Sequence, residues 1–282
     1  MTMIVTSGDG TRLAVQDWGR GRAVVCCHAW AMSGRMWDAQ VPALVDAGVR
    51  CVTFDRRGHG RSDVPSGGYE LDTFADDLAA VLNTLDLHDA VLVGHSAGAQ
   101  EVVRYLSRHG ADRVSGVVLS APVTPCILQL DDFPSGIDEA TFDAQRTAWS
   151  HDFGAWVDAN SGAYFGNATV SAALQDATKR MLLDTPLQVV LETNKVLTRA
   201  DLRADLLAVA ALEVHVTVIQ GTLDASAPIA ATGRPTAAML TGSKLVEIEG
   251  AGHGLYLGHA EQYNAALRGA VSSCSKTGTR TT

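Results

Sequence analysis

The stretch VLVGHSAGAQEVVRYL (residues 91–106) joins an apolar run to a helical pattern through a serine that stands between two glycines. Its pentapeptide GHSAG (94–98) fits the pattern G-x-S-x-G, with a strand predicted before it and a helix after it. Such a turn strains the serine backbone and lifts the hydroxyl above the sheet, while the glycines stand where a Cβ would crowd neighbouring backbone. The pattern therefore predicts Ser96 as a nucleophile.

A serine hydroxyl is a weak nucleophile unless a base accepts its proton and an acid orients that base. Asp224 follows the apolar run VHVTVIQG (214–221), and His253 follows KLVEIEG (244–250). Both side chains would emerge at the carboxyl ends of strands, where open α/β sheets place their sites. The glycines that flank His253 are expected to leave the imidazole room to approach Ser96.

Other candidates for the acid and the base stay open. His259 falls inside the last predicted helix, and His95, beside Ser96, would face another direction. Asp131 and Asp132 are rival acids in the segment after the fourth main strand. A structural role is favoured for His95 and a helix surface or N-terminal position for His259, and we expect Asp131 and Asp132 to be replaceable with little loss of activity.

Addition of a nucleophile to a carbonyl creates an oxyanion, which N–H donors must stabilise. The residue after the nucleophile, Ala97, is expected to supply one N–H group. The second donor is expected from the loop HAWAMSG (28–34), which follows the apolar run AVVCC (23–27).

Short apolar runs rich in valine alternate with stretches of helical spacing. The runs predicted as strands are RAVVCCHA (22–29), VRCVTF (49–54), DAVLVG (89–94), DRVSGVVLSA (112–121), VHVTVIQG (214–221) and KLVEIEG (244–250). This alternation predicts an α/β fold with a mostly parallel, doubly wound sheet of about eight strands. An antiparallel hairpin near Ile4–Thr6 and Leu13–Asp17 is expected at its edge.

The alternation breaks after residue 121. We expect an α/β core over 1–121 and 208–271, a helical cap insertion over 122–207, and a disordered tail over 272–282, which is polar and lacks periodicity. Aromatic side chains of the insertion are predicted to line a substrate pocket: Trp149, Phe153, Trp156, Tyr164 and Phe165.

Composition excludes several classes of function. A net charge of −9, with charges interspersed along 282 residues, argues against nucleic acid as a partner. No run reaches the roughly 20 apolar residues that span a bilayer, so no membrane association is expected. The nine histidines and five cysteines show no metal-ligand spacing, and no signal peptide is evident, so we expect no metal, reduced thiols and a cytoplasmic location. A homo-oligomer stays open.

Five segments resemble the α/β-hydrolase superfamily, most of all its cofactor-free non-haem chloroperoxidase/perhydrolase and aryl esterase branch. These segments are CCHAWAMSGRMWDAQ (26–40), VTFDRRGHGRSD (52–63), DTFADDLAAVLNTLDLHDAVLVGHSAGAQEVVRYLSRHG (72–110), ASAPIAATGRPTAAML (225–240) and GAGHGLY (250–256). The resemblance implies the α/β-hydrolase fold and no cofactor. It also implies a triad of Ser96, Asp224 and His253, with the backbone N–H groups of Trp30 and Ala97 as the oxyanion hole.

The chain departs from that family's pattern at two places. The family's His-Gly-Trp-Pro appears as HAWA (28–31), and Ala29 fits only if its backbone needs no positive φ. Without the proline after Trp30, perhydrolase and haloperoxidase activity are less expected, because that loop shapes the acyl pocket. The family's His-Gly-Asp-Ala-Asp appears as QGTLD (220–224), which keeps the second acid and loses the first.

These observations predict a serine hydrolase that cleaves small, fairly apolar carboxylic esters or lactones. Peracid formation, haloperoxidation or lactam cleavage by the same triad stays open, as does a non-turnover ligand-binding protein on a hydrolase scaffold. Peracid assays separate the first alternative, and multiple-turnover ester hydrolysis would eliminate the second.

Overall fold

A mostly parallel sheet of eight strands forms the centre of the computed structural model, which describes residues 3–134 and 136–274. The strands are β1 (Met3–Thr6), β2 (Arg12–Trp18), β3 (Ala23–Cys27), β4 (Arg50–Phe54), β5 (Ala90–His95), β6 (Val114–Ser120), β7 (His215–Gly221) and β8 (Lys244–Ile248). Their order is β1-β2-β4-β3-β5-β6-β7-β8, and only β1 and β2 run antiparallel to their neighbours. The α/β fold class is confirmed, and the predicted hairpin lies at the sheet edge.

The central strands are buried on both faces, as their apolar runs indicate. Every residue of β3, β5 and β6 is buried. Alternate side chains of β3 enter different cores, so Val25 and Cys27 face one layer while Val24 and Cys26 face the other. All five cysteines of the chain are buried and free.

Helices cover both faces of the sheet. They are α1 (Val41–Val45), α2 (Leu71–Thr84), α3 (Ala97–His109), α4 (Glu139–Tyr164), α5 (Ala172–Leu183), α6 (Leu187–Arg199), α7 (Arg203–Ala210), α8 (Gly233–Met239), α9 (Leu255–Gly258) and α10 (Ala260–Ser273), with a 3-10 helix at Gly34–Ala39. Helices α2, α3 and α7 pack against one face, and the 3-10 helix, α1, α9 and α10 pack against the other. No helix of the described ranges is both long enough and apolar enough to cross a membrane.

Helices α4 to α6 (139–199), here called the cap helices, lie between β6 and β7 in the chain. Helix α4 is kinked at Asp152, whose φ of −156° and ψ of 87° are not helical. The Asp152 carboxylate accepts a hydrogen bond from the N–H of Ala155 at 2.8 Å, so it acts as the N-cap of a second helical segment. The kink therefore has a local cause in the sequence.

The predicted boundary between 207 and 208 falls inside α7. Leu206 and Val209 on this helix are buried in the same core as α2 and α3, so α7 belongs with the sheet layers. The division of the chain into a core and a cap insertion otherwise stays a prediction.

The prediction of a disordered tail from residue 272 onward is wrong at its start. Helix α10 continues to Ser273, and Cys274 is 2% exposed. Val271 and Cys274 are three residues apart, which places both on the helix face that enters the core. The sequence 272–274 looks polar, yet its cysteine behaves as a small apolar side chain. The remainder, 275–282, lies outside the described residues.

The loop after β4 is held by buried ion pairs. Arg56 donates to Glu101 at 2.7 Å, and Arg57 donates to Asp77 at 2.6 Å, with all four side chains almost fully buried. Asp55 accepts from the backbone N–H of Gly34 and of Arg61, which ties this loop to the one that follows β3. These contacts give the segment a structural role.

Candidate active site

Ser96 lies at the sharp turn between β5 and α3, with a φ of 56° and a ψ of −115°. A positive φ at a residue other than glycine costs about 1–3 kcal/mol and persists only where the surroundings enforce it. Close packing does so here. A Cβ at Gly94 would lie 2.2 Å from the carbonyl oxygen of Gly98, and a Cβ at Gly98 would lie 2.3 Å from that of Cys27. The turn has the geometry predicted for a nucleophile elbow.

Asp224 and His253 meet at the carboxyl edge of the sheet. Asp224 Oδ2 lies 2.8 Å from His253 Nδ1. The other carboxylate oxygen, Oδ1, accepts from the backbone N–H groups of Ser226 and Ala227 at 3.0 and 2.8 Å. Because an ionised carboxylate only accepts hydrogen bonds, His253 Nδ1 carries the proton, and Nε2 is left as a base.

Ser96 and His253 line the same cavity. Among the hydrogen bonds of the described residues, none joins the two side chains directly, a contact that often tightens only when substrate is bound. The glycines beside His253 were expected to leave room for the imidazole. In the structure they have a different role. A Cβ at Gly252 would lie 2.5 Å from Gly166 N, and one at Gly254 would lie 2.5 Å from the Tyr164 ring, so both glycines admit the end of α4.

The N–H groups of Trp30 and Ala97 are available as oxyanion donors. Ala97 is the first residue of α3, where helical N–H groups have no partner within the helix. Neither N–H group has a hydrogen-bond acceptor within 3–134 or 136–274. Both residues line the cavity that contains Ser96. The arrangement fits a site for a negatively charged oxygen.

The loop that carries Trp30 is attached to the cap helices by two hydrogen bonds. The Trp30 indole Nε1 donates to the carbonyl oxygen of Val190 at 3.1 Å. The Thr185 hydroxyl donates to the carbonyl oxygen of Ala31, also at 3.1 Å. Positive φ occurs at Ala31 (55°) and not at Ala29, so the alanine at 29 is tolerated. Proline, whose ring fixes φ near −65°, could not adopt the Ala31 conformation.

Gln220 lies behind Asp224 and was noted in the sequence only as the first residue of QGTLD (220–224), where the family has histidine. Its amide Nε2 lies 3.4 Å from Asp224 Oδ2 and also donates to Thr232 Oγ1 and to the Ala227 carbonyl oxygen. The side chain is fully buried. Gln220 therefore links the acid to the turn that holds it.

Replacing Gln220 with leucine should lower kcat/KM for ester substrates by about 10- to 100-fold, because a small misplacement of the acid misplaces the base. Stability should fall by about 1–3 kcal/mol, because the buried Ala227 carbonyl loses one of its two donors and Asp224 and Thr232 each lose a polar contact. Ester hydrolysis and urea unfolding measure the two effects. Gln262→Leu, at an exposed position of α10, is the control and should change neither. Wild-type turnover in Gln220→Leu would show that Gln220 does not position Asp224.

Aromatic side chains from the cap helices line a cavity of about 440 Å³ above Ser96. Trp149, Trp156, Tyr164 and Phe165 are among the lining residues, as predicted. Phe153 is not. It follows the kink at Asp152 and packs between the rings of Trp30, Trp149 and Trp156, with 8% of its surface exposed. The structure therefore places Phe153 in the aromatic cluster behind the cavity wall, and not among the lining residues.

The rival candidates have other partners, although the His95 ring packs against that of His253 with centroids 5.0 Å apart. Asp132 forms an exposed ion pair with Arg203 at 2.8 Å, and Asp131 is exposed. His95 is fully buried, and its Nδ1 lies 2.8 Å from Ser120 Oγ. His259 caps the N-terminus of α10.

Three buried histidines are held in the neutral form. Burial, with a smaller contribution from the Arg56 charge, lowers the pKa of His28 well below its usual range and the pKa of His59 to about 3. Burial, followed by the effect of His253, lowers the pKa of His95. His28 also supports the Trp30 loop, because its Nδ1 donates to the Ala29 carbonyl oxygen at 2.7 Å and its Nε2 accepts from Arg56 N–H.

These histidines should make the protein less stable as pH falls below about 6.5, the pKa of an unfolded histidine. Below that value the unfolded chain binds protons that the folded chain does not, and each histidine contributes a slope of about 1.4 kcal/mol per pH unit. Urea unfolding between about pH 6 and 5, above most carboxylate titration, should show a combined slope of about 4 kcal/mol per unit.

Substituting one of these histidines tests that assignment. His59→Gln should remove about a third of the slope, since one of three proton-binding sites is lost. The exposed His151 is the matched position, and His151→Gln should leave the slope unchanged. A wild-type slope below about 1.4 kcal/mol per pH unit, the value for one proton, would contradict the burial of neutral histidines.

No group of three or more histidine, cysteine, aspartate or glutamate side chains within the described ranges could hold a metal ion. The groups assembled around Ser96 are those of nucleophilic catalysis: a hydroxyl, an oriented imidazole and two free N–H donors.

Comparison with known proteins places the chain in a family. Residues 22–260 match a family model described as the alpha/beta hydrolase fold. The chain is 35% identical over 270 residues to a non-heme chloroperoxidase of Kitasatospora aureofaciens, covering 94% of this chain and 97% of that protein. It is 31% identical over 279 residues to a bifunctional esterase/perhydrolase of Acinetobacter calcoaceticus, covering 95% of this chain and 99% of that protein.

A solved structure gives the same result. The fold matches an esterase from Exiguobacterium antarcticum with a TM-score of 0.91 at 28% identity, over 96% of this chain and all of that one. Fold, family model and relatives agree with the resemblance read from the five sequence segments. The chain therefore belongs to the α/β-hydrolase family, in the branch that includes the non-heme chloroperoxidases.

Proposed function

We propose that this protein is a serine hydrolase that cleaves small, fairly apolar carboxylic esters or lactones through an acyl-enzyme. The observation that carries the proposal is the Asp224–His253 hydrogen bond of 2.8 Å beside a cavity shared by Ser96 and two free N–H donors. Ester hydrolysis needs each of these groups. The esterase names among its relatives support the same reaction class.

In the proposed mechanism, Ser96 Oγ attacks the ester carbonyl while His253 Nε2 takes the hydroxyl proton. Asp224 holds the imidazole and stabilises the imidazolium that forms. The N–H groups of Trp30 and Ala97 receive the oxyanion. His253 then protonates the departing alcohol, and water attacks the acyl-enzyme with His253 again as base, which releases the carboxylic acid and restores Ser96.

The test is a chain-length series of 4-nitrophenyl esters together with a panel of lactones, run on the wild type and on Ser96→Ala. We expect multiple turnovers by the wild type, with a preference for short acyl chains. Binding of these compounds without turnover would instead support a ligand-binding protein. Free, buried thiols favour a reducing compartment, so we also propose a cytoplasmic location.

Peracid formation is the second candidate, since a relative is named an esterase/perhydrolase and another a chloroperoxidase. The Ala31 backbone, with its φ of 55°, takes a path that a proline could not follow. We therefore expect peracid formation from acetate and hydrogen peroxide to be slower than ester hydrolysis. A peracid rate above the ester rate would reverse that order.

A further inference from the structure

The cavity above Ser96 has an uneven distribution of charge. Among its described lining residues, Lys179 is the only side chain with a permanent charge, and no lining residue carries a carboxylate. Asp224 lies behind His253 and is 4% exposed. A cavity that holds one cation and no anion favours ligands with a negative group, although the whole chain has a net charge of −9.

Lys179 lies on the face of α5 that turns toward the cavity. Gln175, Thr178 and Leu182 line the same cavity and are spaced from Lys179 as neighbours on that helical face. Leu182 packs against the cluster that includes Trp30, whose N–H is an oxyanion donor. The lysine is three residues from Leu182, which is about 4.5 Å along the helix axis.

The ammonium group has capacity left for a ligand. Its Nζ lies 2.9 Å from Asp158 Oδ1, and Asp158 is 73% exposed, whereas Lys179 is 27% exposed. An ammonium has three donors, so one ion pair leaves others available. The neighbouring Asn160 and Gln175 amides already donate to backbone carbonyls of Trp156 and Val170.

Apolar side chains make up much of the remaining lining. They include Ile127, Phe133, Phe142 and Leu197. A ligand that uses both kinds of lining would have an apolar part as well as a negatively charged group. Ser96 lines the same cavity as both sets.

We propose that Lys179 is a specificity-determining residue that selects esters carrying a carboxylate a few bonds from the ester group. This inference rests on the proposed ester hydrolysis. The carboxylate accepts a charge-assisted hydrogen bond from Lys179 Nζ, in partial exchange for Asp158, and the apolar part of the ester lies against apolar side chains of the same cavity.

The probes are matched pairs that differ only in the negative group. Mono-4-nitrophenyl glutarate is compared with 4-nitrophenyl pentanoate, which places the charge on the acyl side. The pair 3-carboxyphenyl acetate and phenyl acetate places it on the alcohol side. We expect Lys179→Met to lower kcat/KM for the charged member of at least one pair by about tenfold, mainly through KM, and to leave the neutral members unchanged.

Two further variants sharpen the test. Arg180→Met removes the same charge from the next, exposed residue, which does not line the cavity, and should leave both ratios unchanged. Asp158→Asn frees Lys179 and should raise kcat/KM for the same charged ester by about threefold. The neutral ester in each pair reports on whether a variant has folded.

If Lys179→Met affects charged and neutral esters equally, or if Arg180→Met reproduces its effect, the specificity role is wrong. Failure of the proposed function looks different, because then neither member of a pair would be turned over by the wild type or the rate would survive in Ser96→Ala.

Discussion

Replacing Ser96 with alanine is expected to lower kcat for ester hydrolysis by about 10⁴- to 10⁶-fold, because the members of such a triad act as a unit. The fold should survive, since the Ser96 hydroxyl has no hydrogen-bond partner in the described part of the chain. Alanine keeps the Cβ and removes only the oxygen. Steady-state kinetics and thermal unfolding of the purified variant measure both expectations.

A covalent probe provides the complementary measurement. A serine-reactive fluorophosphonate should add one equivalent to the wild type, with the modified peptide containing Ser96, and none to Ser96→Ala. Ser161→Ala is the matched control, because Ser161 lines the same cavity while its hydroxyl donates to the Asp158 carbonyl oxygen. Retention of more than a few per cent of turnover in Ser96→Ala would contradict the serine mechanism.

Replacing Asp224 with asparagine should lower kcat by about 10⁴-fold with little change in shape, because an amide has no charge and its NH₂ group favours the wrong imidazole tautomer. The two backbone donors from Ser226 and Ala227 should still hold the side-chain oxygen, so the turn should persist. The effect is measured as kcat on the ester that the wild type hydrolyses fastest.

The rival acids are the natural controls for Asp224. Asp131→Asn and Asp132→Asn should retain nearly full activity, because both side chains are exposed and Asp132 forms its ion pair with Arg203. If Asp224→Asn kept the wild-type kcat while Asp131→Asn or Asp132→Asn abolished activity, the acid would be assigned to the segment after β6. The assignment of the 2.8 Å contact with His253 as catalytic would then be wrong.

The sheet and the positions of Ser96, Asp224 and His253 could be predicted because they depend on local patterns. Apolar runs that are buried on both faces, such as β3 and β5, read directly as strands. The residues after β7 and β8 then follow from the rule that sites lie at the carboxyl edge. Asp224 and His253 could therefore be paired without knowledge of the contacts between distant segments.

The features that sequence could not predict depend on contacts between distant segments. Phe153 has the same chemistry as its aromatic neighbours, and only the kink at Asp152 turns it into the Trp30 cluster. The glycines around His253 exist because α4 ends against them. Cys274 is buried because α10 continues two residues beyond Val271, to Ser273, and Cys274 then stands at its C-cap.

Under the proposed mechanism, the attachment of the Trp30 loop to Val190 and Thr185 makes the position of an oxyanion donor depend on the folding of the cap helices. A chimaera that receives the helices of a homologue would exchange the supports of the oxyanion donor as well as the walls of its pocket. Substrate scope and rate constant would then change together. Directed evolution of this scaffold should therefore treat positions 185 and 190 as part of the reaction machinery, even though no ligand need touch them.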